Sequence, residues 1–123
     1  MLNFRKLVKS FGYAFNGLFY SLKYNQNIKI HILIAIIVLI AGFFLRLSRL
    51  DFFDICILII LVIAAEMINT SIEEVINLLV NERRLEAKIA KDVSAGMVLL
   101  IAILAAIIGI FIFLPHLLTF LHG

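Results

Sequence analysis

The chain has 123 residues, of which 64% are apolar and 15% charged, with a mean hydropathy of +1.16 and a formal net charge of +3. A soluble domain carries about 25% charged residues and only about half apolar ones, so too few polar groups remain here to coat a water-soluble globule. That excludes a soluble α/β enzyme, a disordered tail and, with Cys56 alone, a disulfide scaffold. One all-α integral-membrane domain over residues 1–123 is the expectation.

The first predicted element covers residues 3–24. Phe4, Leu7, Val8, Phe11, Phe15, Leu18, Phe19 and Leu22 recur at the i, i+3, i+4, i+7 spacing of an amphipathic helix, with Lys6, Lys9, Asn16 and Lys23 off the stripe. With no soluble core to cover that stripe, the helix is expected to lie flat on the membrane surface. Gly12 and Gly17 weaken it slightly, or permit close approach of another group.

Three apolar segments follow, at about residues 28–47, 52–80 and 90–118, each judged against the roughly 20 residues a spanning helix needs. Pro115 and His116 read as the end of the third helix, and its Ala102-xxx-Ala106 and Ala105-xxx-Gly109 pairs suit close helix packing. Orientation follows from the basic residues. Arg5, Lys6, Lys9, Lys23 and Lys29 precede the first span, and Arg83, Arg84, Lys88 and Lys91 lie between the second and third. Only Arg46 and Arg49 lie between the first and second. The positive-inside rule then places the N-terminus in the cytoplasm and the C-terminus outside. Because these charges flank apolar runs and form no solvated face, they imply anionic headgroups or a nucleotide, and no nucleic acid.

The middle span is the odd one, because it reaches full length only with Glu66 inside it. At about 100° per residue, Asn69, Glu73 and Asn77 lie roughly −60°, −20° and +20° from Glu66, and Thr70 about +40°. They form one narrow polar ridge roughly 16 Å long. Glu74, Glu82 and Glu86 suit a solvated face, but a carboxylate within a span costs at least ~2.5 kcal/mol and marks function. Glu66 and Glu73 would repel unless a divalent metal or a lysine stood nearby. Lys91 offers a phosphate contact. Asp92 opens the third span either as an N-terminal acid or as an i,i+4 partner of Lys88. Carboxylates, amides and lysine at a membrane boundary suit a metal-bound polyphosphate meeting a lipid headgroup; composition leaves a cation pathway equally open.

The segment Ala65–Asn77, AEMINTSIEEVIN, resembles the signature of the bacterial integral-membrane diacylglycerol kinase family, which includes undecaprenol kinases. Glu66, Asn69, Thr70, Ser71, Ile72 and Glu73 match it, while Asn77 replaces its usual Asp. AKDVSAGMVLL at Ala90–Leu100 is similar to the family's Ala-Lys-Asp-Val-Ala-Ala-Gly block, NIKIH at Asn27–His31 to its Asn-Phe-Arg-Ile-His block, and FRKLVKSFGYAFNGL to its N-terminal helix. The resemblance implies a homotrimer of surface helix plus three spans in the bacterial inner membrane, with composite sites on the cytoplasmic side. It implies Mg²⁺-dependent transfer of the ATP γ-phosphoryl to a lipid hydroxyl, that of undecaprenol or diacylglycerol. Glu66 takes the catalytic-base position with Asn69 in support, and Glu73 a metal-ligand position. Lys9 and Lys91 take phosphate contacts, and Tyr13, Gly17 and Asp92 fall in the nucleotide neighbourhood. The family's second metal-binding Glu is Asn25 here, which removes a charge. Two alternatives follow: a catalytically weakened member serving as a membrane scaffold or binding subunit, and, from small size and buried acids alone, a cation channel.

Overall fold

The computed structural model describes every residue from Met1 to Gly123. It is all-helical, with α1 at Phe4–Tyr24, α2 at Gln26–Phe44, α3 at Arg49–Leu79 and α4 at Leu85–His122. The last three are long and apolar enough to cross a membrane. At 1.5 Å per residue, α3 is about 46 Å long and α4 about 57 Å, against a hydrocarbon core of about 30 Å. Both therefore project beyond it.

Each boundary has a local cause. Asn3 caps α1, its side chain accepting from Lys6 N at 3.2 Å. Asn25 alone separates α1 from α2. Its N–H closes α1 on Ser21 O at 3.0 Å, and its Oδ1 caps α2 by accepting from Asn27 N at 2.9 Å and Ile28 N at 3.2 Å. A side-chain oxygen on otherwise orphaned N–H groups is what an N-cap supplies.

At its other end α2 stops in a Schellman motif: Arg46 N donates to Phe43 O at 3.2 Å and Leu47 N to Gly42 O at 3.1 Å. Arg46 takes the left-handed conformation, φ 56°, where glycine is the usual residue. The turn folds back closely enough that a Cβ at Gly42 would stand 2.9 Å from Leu47 Cδ1 and 3.4 Å from a Phe52 ring carbon, so a larger residue there would displace the Leu47 side chain. Ser48 then caps α3, accepting from Asp51 N at 3.1 Å.

The expected stop at Pro115 does not occur. Helix α4 runs through it to His122. A proline removes one N–H and leaves one carbonyl without its helical donor, but apolar surroundings make any further unpairing of backbone more costly still. Two side chains add bonds in the turns around it, His116 Nδ1 lying 3.0 Å from Ile112 O and Thr119 Oγ1 donating to Pro115 O at 2.9 Å, while the carbonyl the proline frees is that of Phe111. The segment is also held from outside, with His116 Nε2 4.0 Å from an Asp51 carboxylate and the Phe44 and Phe120 rings edge to face at 5.6 Å.

Helix α3 packs between α2 and α4, while α1 leans chiefly on α2. Only 11 of 123 residues are buried, among them Ile28, Ala35, Ile55, Val62, Ala65 and Val98 along the helix seams. So thin a core leaves the apolar outer faces for lipid or another chain to cover.

Candidate functional site

The polar ridge on α3 faces α2, and the register between the two helices decides what it meets. Glu66, 2% exposed, accepts at Oε1 from Asn27 Nδ2 at 3.1 Å. Thr70 Oγ1 donates to Glu66 O at 2.9 Å and accepts from Asn25 Nδ2. The first turn of α2 is thereby laced to the middle of α3 through Asn25 and Asn27. One turn further, Asn69 Nδ2 donates to Glu73 Oε1 at 3.2 Å.

Asn69 is 5% exposed, and its Oδ1 is a buried acceptor with no partner. A buried polar atom without a partner costs about 1–3 kcal/mol. A second such atom is Ser94 Oγ, on the face of α4 that packs on α3.

These groups line a cleft of ≈ 240 Å³ containing Tyr20, Tyr24, Asn25, Asn27, Glu66, Asn69, Thr70 and Glu73, with Glu74 at its edge. Its donors are all oxygens, from carboxylates, amides, a hydroxyl and phenols. That set fits Mg²⁺, a hard cation that uses one or two carboxylates, retains water and takes the rest of its shell from phosphate oxygens. Asn69 Oδ1, which has no partner, and the oxygens of Glu73 are the atoms that could hold it. No group of three His, Cys, Asp or Glu residues forms a closed cage, and Mg²⁺ with a nucleotide needs none.

The other sequence-derived site residues stand apart from this cleft. Lys91 Nζ donates to Asn77 Oδ1 at 2.6 Å, tying α4 to the end of the ridge. Asp92 pairs with Lys88 at 2.5 Å on its own exposed helix face, as the i,i+4 spacing suggested. Lys9, Tyr13 and Gly17 are exposed on α1, and a Cβ at Gly17 would meet nothing within 4 Å. They share a face, however. At about 100° per residue, Lys9, Tyr13, Gly17, Tyr20 and Tyr24 fall within roughly 80° of one another, opposite the apolar stripe. The face whose last two turns line the cleft thus carries Lys9 and Tyr13 at its free end.

Sequence reasoning missed Asn27 as the partner of Glu66, although it opens the quoted NIKIH block. It also missed Tyr20, Tyr24 and the buried Ser94. Asn27 was detectable as a polar residue flanking an apolar span four residues from His31; which acid it would meet depends on the α2–α3 register.

With this geometry in place, the comparisons with known proteins are specific. Residues 12–113 match the family model described as prokaryotic diacylglycerol kinase. The chain is 37% identical over 112 residues to the undecaprenol kinase of Bacillus subtilis (strain 168), covering 91% of each chain. It is 39% identical over 114 residues to the diacylglycerol kinase of Synechocystis sp. (strain ATCC 27184 / PCC 6803 / Kazusa), covering 92% of this chain and 65% of that protein. The chain belongs to the prokaryotic diacylglycerol kinase family, and its enzyme class is that of a lipid kinase.

Proposed function

We propose that this chain transfers the γ-phosphoryl group of ATP to the hydroxyl of a long-chain membrane lipid alcohol, undecaprenol ahead of diacylglycerol, at the cytoplasmic boundary of a bacterial inner membrane. The observation that carries the reading is Glu66: a carboxylate 2% exposed, held through one oxygen by Asn27 and lying within a matched family signature. Undecaprenol is put ahead because the undecaprenol kinase relative is covered over 91% of its length and the diacylglycerol kinase over 65%.

Phosphoryl transfer asks little covalent chemistry of a protein; positioning and neutralisation of phosphate charge do most of it. Glu66 accepts the acceptor hydroxyl's proton as general base. Asn27 fixes its rotamer, and Asn69 aligns Glu73. Glu73 and the unpartnered Asn69 Oδ1, with Asn25 at the cleft wall, would hold Mg²⁺, which when bound would offset the charge of the nucleotide's phosphates. Lys9 and Lys91 contact those phosphates, with Tyr13, Gly17 and Asp92 around the nucleotide. Helix α1 lies on the membrane surface with its phenylalanines in the headgroup region. Since Lys9 and Lys91 lie outside the Glu66 cleft of their own chain, the reading includes a homotrimer whose sites are shared between subunits, with the N-terminus cytoplasmic. Purified protein in mixed micelles, given ATP, Mg²⁺ and either lipid, is expected to form the phosphorylated lipid. No product from any long-chain alcohol or diglyceride would defeat the proposal.

A second reading, a catalytically weakened member retained as a membrane scaffold or binding subunit, is favoured by one observation. Asn25 brings no charge, and its Oδ1 already caps α2. On that reading Asn25→Glu raises Mg²⁺-dependent turnover sharply. On the first, wild type is fully active and Asn25→Glu gains nothing while losing a cap worth about 1 kcal/mol.

A further inference from the structure

Directly below the carboxylate cleft, toward the membrane interior, α2, α3 and α4 enclose an apolar groove of ≈ 470 Å³. His31, Val62 and Ala102 lie at its upper end and Ile55 and Phe113 at its lower end. From Ala102 to Phe113 the helical rise is about 16 Å. The small side chains of Ala102, Ala105, Ala106 and Gly109 open this space on α4. The groove and the cleft share one seam: Val62 is one turn from Glu66 on α3, and His31 is one turn from Asn27, the residue that holds Glu66. A ligand lying along the seam would therefore meet hydrocarbon for the length of the groove and a carboxylate at its end. That is the polarity of a lipid alcohol, with its tail in the groove and its hydroxyl at Glu66.

His31 is the one polar side chain lining this groove. It is half-buried, and unlike His116, whose ring bonds Ile112 O, its imidazole takes part in no hydrogen bond or ion pair of the chain. By helical rise it stands about 6 Å deeper than Asn27, beneath the point where the acceptor hydroxyl would react. A glyceride carries ester carbonyls within a few bonds of its free hydroxyl; a polyprenol carries only hydrocarbon there. An imidazole N–H is a donor with a use for the first and none for the second.

Resting on the lipid kinase reading, we infer that His31 is the specificity-determining residue of this site: it donates to the ester carbonyl of a glyceride acceptor seated in the groove, and so sets the ratio of glyceride to polyprenol phosphorylation. Without it, an ester would enter the groove with its carbonyl unpaired, which is a penalty on the ground state and the transition state alike.

The test measures kcat/KM for dioleoylglycerol and for a long-chain polyprenol in the same mixed micelles. With His31→Leu, the glyceride-to-polyprenol ratio falls about tenfold, the equivalent of one hydrogen bond of about 1.4 kcal/mol. His31→Gln, which restores an N–H donor, returns most of it. A ratio unchanged within about twofold in both variants, or a wild type that phosphorylates the polyprenol alone, overturns the assignment of His31 while leaving the kinase reading standing. No lipid product of either kind removes the kinase reading itself. The groove is checked separately by Ala106→Phe, at an exposed groove position, which is expected to raise KM for both acceptors. An altered oligomer size with both KM values unmoved would give the groove to a second copy of the chain and overturn the seating of the tail.

Discussion

The two halves of the proposed site are built differently. In the carboxylate half, Glu66 and Asn69 are buried and Glu73 and Asn25 half-buried, and the half is cross-linked to α2 by the hydrogen bonds of Asn25 and of the exposed Asn27. The cationic half is not gathered. Lys9 is exposed on α1, and Lys91 bonds an amide at the far end of the ridge. The difference follows from the cost of each group in its setting. A carboxylate within a membrane has to be held and partnered, since leaving it unpaired costs several kcal/mol. A lysine at the headgroup level is solvated and comes to order only against phosphate. On the proposed reading, one chain preorganises the proton acceptor and leaves the phosphate contacts to nucleotide binding or to a neighbouring subunit.

The largest expected effect tests the organised half. Glu66→Gln keeps an acceptor for Asn27 but removes the base, so turnover should fall about 10³-fold, within the range for general-base loss. The readout is transfer of labelled phosphate from ATP to lipid, and activity retained within about tenfold would strip Glu66 of that role. Next comes the division between halves. Lys91→Ala and Lys9→Ala should each raise the KM for ATP by about 10- to 100-fold, the worth of a hydrogen bond to a charged group. Co-reconstituting either variant with Glu66→Gln should then give more activity than the two alone if the halves come from different chains. Activity equal to the sum of the parts would place both halves in one chain and end the contrast. A smaller effect probes the support behind the base: Asn27→Leu frees Glu66 Oε1 and should lower kcat about tenfold with the KM for ATP unchanged. The smallest lies at the opposite end of the molecule, where Arg46→Gly relieves the left-handed residue. It should stabilise the folded protein by about 1 kcal/mol in reversible unfolding from mixed micelles, with kinase activity unaltered.

Much of the organised half was legible in the sequence, because burial of a carboxylate and the 3.6-residue period are both one-dimensional facts. Glu66, Asn69 and Glu73 had to share a face, and the middle helix had to contain them to be long enough. What one helix meets on another was not legible. The Asn27–Glu66 bond depends on the register between α2 and α3, and that register follows from the length of the Leu45–Ser48 turn and the close approach at Gly42. Pro115 misled for a different reason: the rule that proline stops a helix assumes water is there to take the freed carbonyl. Along an apolar helix, where a break would leave still more backbone unpaired, continuing through the proline is the cheaper course. The separateness of Lys9 and Lys91 could not be read at all, since a list of charges says nothing of where each side chain stands in space.

Asn25 has one further consequence. Its oxygen terminates the backbone of α2 and its nitrogen reaches Thr70 on α3, so neither end of the amide is idle. A cation that takes Oδ1 as a ligand takes it from Asn27 N and Ile28 N, and the start of α2 must fray to release it. Cation occupancy and fraying are then reciprocal, each shifting the other by the same free energy. Amide exchange at Gln26–Lys29 would register that exchange as directly as a titration of the metal.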